Sequence, residues 1–139
     1  SNWLSSRLTK PQATTNATYN VYSSDAYTLG DAVSPATIDF DWESNAIRYG
    51  ELDADASAIA NVTGTCSPGE APPAGDPMED LYSLPCSVIE EHSFIPDDLD
   101  PDTSAKGIGR YFYRITTRGF GGTEKAQPRI EAIVFKRYN

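Results

Sequence analysis

The chain carries one histidine, two cysteines and three aspartates at alternate positions, and these bound the chemistry open to it. A nucleophile or general acid needs a partner that tunes it, so any Ser-His-Asp arrangement must run through His92. No GxSxG elbow accompanies that residue. Its neighbours Glu90 and Glu91 are adjacent in sequence, so on a strand they point to opposite faces and cannot work as an acid–base pair. His92 therefore reads as a surface or strand-edge residue. Cys66 and Cys86 lack the CxxC spacing of a zinc site. In an acidic, tyrosine-rich chain they read as one extracytoplasmic disulfide, with two free thiols as the alternative. If formed, the bond closes a loop of about 20 residues and is worth about 3 kcal/mol. Asp98, Asp100 and Asp102 stand at i, i+2 and i+4, the spacing that opens a calcium-binding loop. However, Thr103 replaces the required glycine, Gly109 replaces the closing glutamate, and Pro101 stiffens the run. A solvated acidic loop is the stronger reading and a calcium site the weaker one. The stretch from Gly119 to Gly122 (GFGG) lacks the Lys-Ser/Thr of a phosphate-cradling loop and reads as backbone turning. Sequons at Asn16 and Asn61 matter only in a glycosylating host.

The elements that must position these residues are clearest in the last third of the chain. Residues Arg110 to Arg118 (RYFYRITTR) are β-branched and aromatic, with Tyr111, Tyr113, Ile115 and Thr117 on one face. Arg129 to Tyr138 (RIEAIVFKRY) predicts a second strand, with Ile130, Ala132 and Val134 on one face and Ile133 and Phe135 on the other. The glycine-rich loop between them predicts an antiparallel hairpin. A central place for the last strand would bury Ile133. Cys86 to His92 predicts a further strand, followed by an acidic loop from Asp97 to Asp102. Upstream, Tyr19, Val21 and Tyr22, then Phe40 and Trp42, then Ala46 to Tyr49, are short pieces that could run extended. Residues 51–80 are rich in Ala, Gly, Pro and Asp and predict a long surface loop tied by the cysteines. Trp3, Leu4 and Leu8 read as the last turns of an amphipathic helix over residues 1–10, stopped before Pro11. The expected architecture is one α+β domain over residues 1–139, with that helix end covering one face of an antiparallel sheet.

With 139 residues the chain is long enough for a real core. Its net charge of −9 argues against a nucleic-acid or anionic-membrane surface, which needs clustered Lys and Arg. No apolar run approaches the roughly 20 residues of a membrane-spanning helix.

The order of these segments resembles a known family. The run from Glu90 to Asp98 (EEHSFIPDD), then Tyr113 to Gly122 (YRITTRGFGG) and a final strand, is similar to the C-terminal region of PilX-like minor pilins of type IV pili. Asn2 to Ser6 (NWLSS) resembles the end of their N-terminal helix, and Phe40 to Trp42 with Ala46 to Gly50 (AIRYG) their middle region. The resemblance implies a pilin-like fold and a non-catalytic role as a pilus subunit acting in assembly, adhesion or motility. It implies no cofactor. It also implies that the hydrophobic first half of the helix is missing from these residues. That half anchors the subunit in the inner membrane, with the domain in the periplasm, before binding other pilin subunits in the cell-surface filament. Surface receptors are further implied partners. Two features depart from the family: the cysteines precede the last two strands, and the 51–80 loop is longer and more acidic. A major pilin, a type II secretion pseudopilin, or a secreted carbohydrate-binding module stacking sugars on Tyr19, Tyr22, Tyr27 or Tyr49 are the alternative readings.

Overall fold

β-Branched and aromatic residues fit a pleated, half-buried surface, and they place the sheet in the chain's last third. The computed structural model describes residues 2–7, 9–23, 35, 40–52, 61–67 and 69–138. Four strands, β1 (Ile47–Arg48), β2 (Cys86–Pro96), β3 (Gly109–Arg118) and β4 (Arg129–Tyr138), form one antiparallel sheet in the order β1-β2-β3-β4. Among the described residues, three short helices accompany it: α1 (Asn2–Ser6), α2 (Trp42–Asn45) and α3 (Pro101–Ala105). The architecture is mixed α+β. The expected hairpin is β3–β4, paired from Gly109↔Tyr138 to Arg118↔Arg129 without a slip.

Three expectations need correction. β2 does not stop at His92 but continues to Pro96, because a bulge between Glu91 and Ser93 absorbs one residue and reverses the alternation. The acidic loop is partly helical: Asp100 caps α3, and Pro101 takes the first helical position, where its missing N–H costs nothing. Phe40 and Trp42 do share one cluster, edge to face at 5.1 Å, but Trp42 opens a helical turn instead of continuing a strand. The Asp41 carboxylate accepts the Ser44 amide at 3.2 Å and so selects that turn.

Both faces of the sheet are packed near β2. On the front, Trp3 and Leu4 of α1 join Val21, Ile89, Tyr111, Tyr113 and Tyr138. On the back, Phe40, Trp42, Ala46 and the two cysteines pack with Tyr22 and Val88. β2 has two short neighbours on its outer edge. Ile47 and Arg48 pair with Ser87 and Cys86, and Tyr22 exchanges backbone hydrogen bonds with Ile89 and Glu91 at 2.9 and 2.8 Å. Of the expected short strand at Tyr19–Tyr22, this single bridge residue is what forms. At the other side of the sheet β4 is an edge strand, and Ile133 is 57% exposed. The central placement that would bury Ile133 is thus wrong. Leu8, Tyr27, Asp39 and residues 53–60 of the long loop lie outside the described residues.

Candidate functional site

Burying a carboxylate requires a partner that replaces water, and β2 supplies two contrasting cases. Glu90 points to the back face and is buried. Its two oxygens accept hydrogen bonds from Arg114 Nε and Nη2, both at 3.0 Å, across the β2–β3 ladder. Glu91 points to the front and pairs with Lys10 at 2.8 Å. The two carboxylates lie on opposite faces, as their adjacency requires. His92 sits at the bulge, exposed. None of these groups converges on another in a way that would move a proton.

Asp98, Asp100 and Asp102 form a chain of local turns. Asp98 Oδ1 accepts the amide of Asp100 at 2.8 Å, and Asp100 Oδ1 accepts the amide of Asp102 at 3.0 Å. All three are exposed. Among the described residues no group of three or more His, Cys, Asp or Glu side chains is placed to hold a metal ion. Their alternate spacing makes two Asx turns, the second of which caps α3. In the β3–β4 connection two glycine amides are likewise held within the loop. Gly119 N–H donates to Pro128 O at 2.9 Å and Gly121 N–H to Ala126 O at 2.7 Å, while Phe120 is buried.

Cys66 and Cys86 are joined in a disulfide with a Cα–Cα separation of 5.8 Å. It fastens the 61–67 stretch to the first residue of β2. Arg118 lies over it: its guanidinium carbon stands 4.9 Å from the ring centres of both Trp42 and Phe120, and Nη2 approaches Cys66 Sγ at 3.7 Å. Burial, then the nearby charge of Arg129, presses the Arg118 pKa below the usual arginine range. Asn16 and Asn61 are both exposed.

The most specific arrangement is the seat of α1. Trp3 and Leu4 are 6% and 3% exposed against the front of the sheet. Lys136 of β4 donates from Nζ to the carbonyls of Leu4 at 3.1 Å, Ser5 at 2.6 Å and Arg7. Leu4 O also accepts the Arg7 amide at 3.3 Å, and a cation at the end of a helix complements its last carbonyls. Desolvation, then the charge of Arg7, holds the Lys136 pKa below that of an ordinary lysine. Nothing in the sequence pattern singled out Lys136, since the contact joins residues at opposite ends of the chain. Among the described residues, no helix is long and apolar enough to cross a membrane. The chain matches no family model, no curated protein and no solved structure.

Proposed function

We infer that the chain is the globular domain of a pilin-like subunit, a non-catalytic component of a type IV pilus of the minor class. One observation carries this reading: a helix end seated on the front of an antiparallel sheet, with its last carbonyls held by Lys136 of the final strand. A long assembly helix entering from the N-terminal side needs such a seat, because its end must leave the filament axis and meet the domain at a set angle. The order of the Trp-Leu pair, the EEHSFIP run and the YRITTRG strand supports the same reading. The groups with acid–base or metal-binding potential serve local structural roles, which favours a structural part over an enzyme.

Mass spectrometry of filaments sheared from the source bacterium tests the proposal. Peptides of residues 129–139 at a small fraction of the principal subunit are the expected result. Their absence from filaments, with the protein present in the cells, would sink it. Equal abundance with the principal subunit would assign the chain to the major class instead.

A further inference from the structure

Edge strands are usually guarded by proline, bulges, short length, charged side chains or a covering segment. β4 lacks the first three: it is ten residues long, contains no proline, and pairs with β3 without a register shift. Each of its cations also has a contact within its own molecule. Lys136 reaches the α1 carbonyls, Arg129 donates to Pro35 O at 3.2 Å and lies over Trp42, and Arg137 Nε binds Asp97 at 2.7 Å. Meanwhile Ile130, Ile133 and Phe135 are 68%, 57% and 66% exposed.

We propose that β4 is a self-pairing edge, joining two copies of this chain antiparallel into one continuous sheet. A two-fold axis normal to the sheet keeps front with front and back with back, so facing residues must share a face. Centred on Val134, this pairing sets Ile133 against Phe135 and Glu131 against Arg137 of the second copy, each twice. It also sets Ala132 against Lys136 and Ile130 against Tyr138. Ile133 meets Phe135, Ile130 meets Tyr138, opposite charges meet at Glu131 and Arg137, and no like charges face. Centring on Ile133 instead sets Arg129 against Arg137, and centring on Phe135 sets Arg137 against Ile133. Charge complementarity thus selects the Val134 register. Arg137 engages Asp97 through Nε alone, and its guanidinium has further N–H donors for Glu131.

The inference does not rest on the pilin reading. Sedimentation equilibrium of the 139-residue chain at physiological salt, where the repulsion between two acidic copies is screened, tests it. A monomer–dimer equilibrium is expected, with the amides of β4 protected from hydrogen exchange in the dimer. Glu131→Arg and Arg137→Glu each set like charges face to face and should weaken dimerisation on the order of tenfold. An equimolar mixture of the two variants restores opposite charges and should recover the dimer. Circular dichroism melts confirm that each variant is folded. A wild type that stays monomeric at its highest soluble concentration overturns the proposal. So does a dimer with unprotected β4 amides, one indifferent to both variants, or a mixture that fails to recover.

Discussion

Glu90 and Arg114 show what a single pair does for this sheet. Glu90 is buried, while Arg114 keeps 28% of its side chain in solvent. Arg114→Ala would leave a carboxylate buried without its bidentate donor, at a cost of about 3 kcal/mol, read as a lower midpoint in urea denaturation. Tyr22 is a second such residue. Its hydroxyl donates to Asn45, with the carbonyl oxygen at 3.2 Å and the side-chain oxygen at 3.0 Å. Burial first, then the charges of Asp41 and Glu90, pushes its pKa up to about 12 from the ordinary 10.0. Tyr113 is raised too, again chiefly by burial. Both rings hold their protons more tightly folded than unfolded, so their contribution is intact below pH about 10 and drains as pH climbs through the folded values. The melting temperature should fall between pH 10 and 12. Tyr22→Phe should flatten that fall while costing about 1 kcal/mol at neutral pH. That Glu90 and Glu91 part to opposite faces was legible from adjacency alone. Their partners were not, because Arg114 and Lys10 are set by register and docking.

At the scale of elements, β3 and β4 could be read because each is long, rich in β-formers and free of a bulge. β2 could be read only to His92, since the bulge beyond it breaks the period on which strand reading depends. Placement within the sheet was less accessible still. A strand with Ile133 and Phe135 on one face and Ile130 and Val134 on the other looks central, yet β4 lies at the edge. Ile133→Asp should therefore leave the domain folded, with a loss of about 1 kcal/mol or less by thermal melt. The α1 seat predicts the opposite sensitivity. Leu4→Ala should cost about 3 kcal/mol through the lost contacts and the cavity left behind. Lys136→Ala should cost about 2 kcal/mol by releasing the helix carbonyls. Hydrogen exchange should then rise in α1 before it rises in β3.

For the whole molecule, the disulfide offsets what the loops lack. The described residues of 61–85 contain no strand or helix and are fastened by turns and by Cys66. Replacing both cysteines by serine should remove about 3 kcal/mol while the far-ultraviolet spectrum of the sheet persists below the new melting point. An unchanged melting temperature would show that the bond restrains nothing the fold does not already hold. The cysteine pairing was accessible from the count of two. The back-face cluster beneath it was not, because it gathers Tyr22, Trp42 and Val88 from three distant segments.

The clasp between Lys136 and the end of α1 has a mechanical consequence. The first and last ordered elements of the chain touch, so tension entering through the helix passes directly into the final strand and from there across the β3–β4 ladder. Strain of that kind loads the interleaved hydrogen bonds of that ladder along their whole length. The domain would thus resist a tug along its helix as a braced plate does.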